Sequence, residues 1–157
     1  MRVSPYLTLS GLALATCAAT LFVHRLDPSR GENLARRAVV TTSGLDGSFR
    51  HGQGLVDGEL TRYGVRTVER DGPWVLLDLR REQTVSRLVV YDRPEQLASS
   101  KPVLVELSRD GREFPPIAEQ RKPTATWELA IPPSPARYVR LRQVRHGSLE
   151  WREVEVY

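Results

Sequence analysis

Beyond Asn33 the chain is a series of short apolar and aromatic runs, each cut by a turn signal, and this confines it to an antiparallel β fold. Two runs alternate strictly. In Tyr138–Val144, residues Val139, Leu141 and Gln143 fall on one face, while Tyr138, Arg140, Arg142 and Val144 fall on the other. In Trp151–Tyr157, residues Trp151, Glu153, Glu155 and Tyr157 oppose Arg152, Val154 and Val156. Period-two alternation means one packed face and one wet face. Further runs are Trp74–Leu79, Val85–Tyr91, Val103–Ser108 and Thr126–Ile131, and the last run begins at Leu149. Asp-Gly occurs at 46–47, 57–58, 71–72 and 110–111, where glycine accepts positive φ and aspartate bonds back to the backbone. Pro115-Pro116 and Pro132-Pro133 confine their strands to edges or ends. Six or more strands at this spacing predict an all-β sandwich or barrel, and no internal repeat is apparent.

A chain of 157 residues has room for one such domain and a short appendage. The single cysteine excludes a disulfide framework and a multi-cysteine zinc site. Net charge is +4, with a pI near 9.6, but it is spread out. Residues 1–31 and residues 32–157 each carry +2, so nothing marks the folded part as a nucleic-acid binder. The basic residues are 21 Arg and 2 Lys.

The appendage is N-terminal. From Tyr6 to Val23 there is no charge, with Arg2 before the run and His24-Arg25 after it. This length sits at the lower bound for a bilayer-spanning helix. Two readings stand: an N-terminal apolar helix retained as a membrane anchor, or a signal peptide cleaved near Ala15, Ala18 or Ala19 to release a secreted domain. A buried core helix is a third. Residues 24–32 form a polar tether and residues 33–157 the domain. The small charge bias leans against export under the positive-inside rule. The nature of the domain outweighs it, so the expectation is a domain held in a bacterial periplasm or at the cell surface.

Seven segments, in order, resemble the discoidin domain, also called the coagulation factor V/VIII type C domain, with carbohydrate-binding relatives, and the resemblance implies its all-β, galactose-binding-like β-sandwich or jelly roll of about eight strands. They are Asn33-Leu34-Ala35, Leu55–Tyr63 around Asp57-Gly58, Pro73–Leu79, Val89–Arg93, Val105–Gly111, Ala136–Leu141 and Glu153–Tyr157. The chain departs from the pattern in places. Arg80 stands where the family has glycine, the Asp57-to-Thr61 spacing is one residue short, and the terminal disulfide of the animal domains has no counterpart. In the carbohydrate-binding relatives the turn at the Asp-Gly and a glutamate of the last strand hold a structural calcium. The resemblance therefore implies a calcium site at Asp57, Thr61 and Glu153. Calcium takes six to eight oxygens, which suits such a turn.

Nucleophile elbows, zinc-protease helices and P-loops are absent from the sequence, which points to a non-catalytic binding module. Ligand contacts are expected from loops: Phe49, Arg50 and His51 in the first, Arg93 at the family's arginine position, and Arg145 and His146 before the last strand. Guanidinium forks suit carboxylate, sulfate and sugar hydroxyls. The only asparagine is Asn33, which weighs against a neutral glycan. The expected ligand is a surface carbohydrate or anionic glycan, with the membrane reached through the N-terminal helix. Two rivals are a structural domain binding an envelope protein, and an anionic-lipid binder inserting Phe49 and Leu97. Trp74, Trp127 and Trp151 are assigned to the core.

Overall fold

The computed structural model describes residues 31–49, 51–92, 102–122 and 124–157, and a single compact unit spans Glu32–Tyr157. The expected N-terminal apolar helix, and the tether up to residue 30, lie outside the described residues. The described residues form seven antiparallel strands: β1 (Val39–Thr42), β2 (Val65–Arg66), β3 (Trp74–Asp92), β4 (Val103–Ser108), β5 (Pro116–Gln120), β6 (Thr126–Gln143) and β7 (Glu150–Val156). Two short 3₁₀ turns, Leu34–Arg37 and Gly52–Val56, complete the framework.

Seven strands among the described residues stand beside the about eight expected, but the six predicted runs account for four of them, because four runs fuse into two strands. Trp74–Leu79 and Val85–Tyr91 are the two halves of β3, and Thr126–Ile131 and Tyr138–Val144 lie along β6. These strands pair with each other along most of their length. The sheet order is β2-β7-β3-β6-β4-β5, with β1 paired to the first half of β3. The first half of β3 joins β1 and the end of β6, while its second half joins β7 and the start of β6. Inward residues of both halves, Val75 and Leu77 with Leu88 and Val90, meet in one core cluster. One continuous sheet thus folds over on itself to make the two layers.

Two register shifts make the fold-over possible. Between Asp78 and Gln83, β3 uses more residues than β6, and between Val85 and Arg87 the excess lies on β6 at Ile131-Pro132-Pro133. Across the second shift the core positions of β3 pass from odd (Val75, Leu77, Leu79, Val85) to even (Leu88, Val90). Prolines are tolerated there because a bulge leaves amides out of the ladder. Pro116 opens β5, which is an edge strand, as the proline pair predicts. The predicted alternation in β6 holds: Val139, Leu141 and Gln143 are all buried.

Polar groups fasten the ends. Asn33 Oδ1 accepts the amides of Ala35 (3.0 Å) and Val156 (3.1 Å), so one side chain caps the first 3₁₀ turn and ties it to β7. Arg137 grips Asp78 with two bonds of 2.8 and 2.9 Å beside the fold-over, which holds the Asp78 carboxyl below its ordinary range. Buried Glu106 accepts hydrogen bonds from both Arg140 and Arg142, and Arg140 also lies 4.1 Å over the Phe114 ring. Trp127 and Trp151 are core residues as expected. Trp74 is not: it sits on the opposite face from Val75, half-buried and opposite Arg142 across the ladder.

Arg80, at the fold-over, has φ 73 and is the one non-glycine residue with positive φ among the described residues. Left-handed backbone costs an L-residue about 1–2 kcal/mol, whereas glycine adds about 0.5–1 kcal/mol of chain entropy. Arg80→Gly is expected to stabilise the domain by up to about 1 kcal/mol, and β-branched Arg80→Val to destabilise it by a similar amount. Chemical denaturation of the two variants reads both signs.

Candidate functional site

β1 ends, β3 begins and β6 ends at the same end of the sandwich, and β7 starts there, so the connecting loops collect at that end. Those loops are laced together through the backbone. Leu45 bridges Thr67, and Val68 N donates to Gly44 O. Arg70 and Gly147 exchange both backbone bonds at 2.9 and 3.0 Å, and Arg70 Nη1 donates to Ser43 O at 2.6 Å. Buried Thr67 accepts the Leu149 amide on its hydroxyl, while its own amide donates to Leu149 O. Gly44, at φ 147, can lie against Val68 only because it lacks a side chain; a Cβ there would come within 2.9 Å of Val68 Cγ2.

The Asp46-Gly47 turn presents the first predicted contact. Asp46 Oδ1 accepts the Ser48 amide, which lowers the Asp46 carboxyl's pKa, and Asp46 O accepts the Phe49 amide at 2.8 Å. Phe49 then lines a shallow cleft of ≈ 230 Å³ with Ser48, Tyr63, Val65, Arg66 and Glu150. Arg66 and Glu150 face each other across the β2–β7 ladder and form a 3.1 Å ion pair, with Asp46 3.9 Å from the same guanidinium. Tyr63 keeps 40% of its surface exposed at this cleft.

The other predicted contacts distribute as follows. Arg145 and His146 sit on the adjoining loop and do not line the cleft. Arg145 is exposed, and His146 bridges Asp71 (Nδ1, 2.9 Å) and Glu69 (Nε2, 3.5 Å). His51 is exposed at the start of the second 3₁₀ turn and does not cap it. Arg50 and Arg93 lie outside the described residues. Of the four described, the cleft takes in Phe49, and it adds Tyr63, Arg66 and Glu150, which the sequence pattern does not mark as contacts. Their signal is faint because β2 is two residues long and shows no alternation.

Of the implied calcium site, Glu153 lies on β7 just past a bulge at Arg152, where Tyr91 pairs with Glu153 and Asp92 with Trp151. Glu153, fully buried, accepts the Gly58 amide on Oε1 (2.9 Å), and its Oε2 has no hydrogen-bond partner among the described residues. Asp57 is already engaged: Oδ1 accepts the Glu59 amide (2.8 Å) and Oδ2 accepts Arg62 Nη2 (2.8 Å). Thr61 bonds Glu59 Oε1 through its amide (3.2 Å) and hydroxyl (2.9 Å) rather than turning toward Glu153. Calcium needs six to eight oxygens at about 2.3–2.6 Å. As arranged, Glu153 alone of the three keeps a carboxylate oxygen open, so the set does not fit that ion.

These features correspond to a known family. The F5/8 type C domain model matches residues 39–155. The chain belongs to the F5/8 type C family. Among solved structures, it resembles a Clostridium perfringens protein crystallised with GalNAc-β-1,3-galactose (17% identity, TM-score 0.70, 80% of this chain and 99% of that one). It also resembles a fucose-binding module of Streptococcus pneumoniae (22%, TM-score 0.70, 80% and 94%). A third is the fucolectin of striped bass, Morone saxatilis, serum (25%, TM-score 0.70, 81% and 47%). No curated protein sequence matches the chain.

Burial, the largest cause, pushes the Glu153 carboxyl from its ordinary 4.5 up to about 9. The Gly58 amide and the Arg36 charge pull it down, while Asp57 and Glu155 push it further up. A carboxyl raised on folding contributes stability that is complete below pH 4.5 and is lost as pH climbs toward 9. Asp46, Asp78 and Asp110 are shifted down, so they act only in acid. The melting temperature is expected to fall between about pH 5 and pH 9, and Glu153→Gln, neutral throughout, to flatten that fall. Thermal melts of both proteins across the range check it.

Proposed function

We propose that this F5/8 type C domain is a non-catalytic binding module that takes carbohydrate at its loop end, displayed from a bacterial cell envelope by its N-terminal segment. The observation that supports this is the Phe49–Tyr63 cleft with its Arg66–Glu150 pair. Two aromatic side chains offer apolar faces to the C–H side of a sugar ring. A guanidinium and a carboxylate beside them offer donors and acceptors to the ring hydroxyls. At ≈ 230 Å³ the cleft is below the ~300 Å³ at which drug-sized pockets begin, so it suits one terminal sugar rather than a length of chain. The similar domains that bind fucose, or were crystallised with a GalNAc-galactose disaccharide, make the same class of ligand the first to try.

Glycan-array screening of the purified protein is expected to give binding to a restricted set of terminal sugars. Tyr63→Ala is expected to weaken it by about five- to 150-fold, since stacking on an aromatic ring is worth on the order of 1–3 kcal/mol in the comparable case of bases. His51→Ala, outside the cleft, is expected to leave binding unchanged. Silence on the array from a folded protein would overturn the carbohydrate reading.

A further inference from the structure

We infer that two guanidinium groups, those of Arg36 and Arg62, close the Asp57–Thr61 turn in place of a divalent cation, so that this domain keeps its shape without calcium. The argument is one of competition for oxygens. Arg36 Nη1 donates to Val56 O at 3.5 Å, and Arg62 Nη2 donates to Asp57 Oδ2 at 2.8 Å. These are oxygens of the kind calcium requires: a backbone carbonyl and a carboxylate in an Asp-Gly turn. A guanidinium cannot coordinate a metal, and its charge repels one nearby.

Arg36 is built into the turn. Its Nη1 lies over the bare α-carbon of Gly58, where a Cβ would come within 2.1 Å of it. Gly58 also has φ 74, which disfavours a side chain there, and a side chain would have to displace the Arg36 guanidinium. The arginine is delivered by the 3₁₀ turn Leu34–Arg37, whose cap Asn33 also holds Val156 of β7. Gly58 in turn donates its amide to Glu153, two residues before Glu155 on the same strand. The Arg36 guanidinium thus joins the N-terminal turn to the Asp-Gly turn, and the Gly58 amide joins that turn to the last strand. The one-residue shortening between Asp57 and Thr61 fits this arrangement, since the turn closes on Glu59 and Arg62 and needs no room for an ion.

The test uses the full-length protein in detergent, melted with millimolar calcium and with EDTA. A structural calcium at saturating concentration would raise the melting temperature by several degrees. The expected difference for the natural chain is below about 1 °C, and calorimetric titration with calcium chloride is expected to show no binding heat. The double variant Arg36→Ala/Arg62→Ala is expected to melt several degrees lower in EDTA. A lowered melt supports the arginines' role whether or not calcium restores it. Stabilisation of the natural chain by calcium, or binding heat with micromolar affinity, would overturn the inference. So would a double variant that melts like the natural chain in EDTA. If the double variant does not fold, the calcium titration of the natural chain still decides.

Discussion

The pairing of β3 with β6 is the constraint on which the rest depends. Among the described residues these two strands alone are long enough to run through both layers, and their ladder carries the sheet around the fold-over. A slip of one residue in that ladder would turn Val75 and Leu77 outward and replace them with Trp74 and Leu76. Register is therefore fixed at both ends. Arg137 on Asp78 and the strained backbone of Arg80 hold one shift, and Pro132-Pro133 marks the other. The loop end inherits its geometry from this ladder, because the start of β3 and the end of β6 set where the Ser43, Arg70 and Gly147 loops meet.

Much of this is legible in the sequence, and the reason is physical. Alternation reports burial directly, so the sequence alone assigns Val139, Leu141 and Gln143 to the packed face, where they lie. What alternation cannot report is continuity. The segment Arg80-Arg81-Glu82 looks like a loop because its side chains are charged, yet the backbone stays in the strand and merely bends. Trp74 misleads for a related reason. A tryptophan on a strand is usually inward, but here parity puts it on the face opposite Val75, across the ladder from Arg142, and leaves it half-buried.

The candidate site is less legible, because it depends on contacts between segments far apart in the chain. Phe49 stands out as an aromatic residue in a glycine-framed loop. Its neighbours Tyr63, Arg66 and Glu150 come from a two-residue strand, the turn before it and the first residue of β7. None of these leaves a periodic trace. His146 stands out as a loop histidine, but its acidic partners Glu69 and Asp71 become neighbours only through the Arg70–Gly147 bridge. Such loop chemistry is set by tertiary closure, so residue type in a loop is a weaker guide than residue parity in a strand.

The arginine excess acquires a structural meaning in the folded chain. Guanidinium groups hold Asp57, Asp78, Glu106 and Glu150, and on Asp78 and Glu106 the bonds are paired on one carboxylate. The planar fork matches a carboxylate with two parallel bonds, which an ammonium cannot do. It also remains charged when partly desolvated, and its flat face stacks on rings, as Arg140 does on Phe114 and Arg87 on Tyr157. Each of these roles would be lost or weakened with lysine at the same position. A chain with 21 Arg and 2 Lys therefore carries a fixed set of cations on its own side chains, placed where its buried and half-buried carboxylates need them. Glu153 is the exception that fits the rule. Among the described residues no guanidinium reaches its second oxygen, and it is the one carboxyl there that burial drives toward its neutral form.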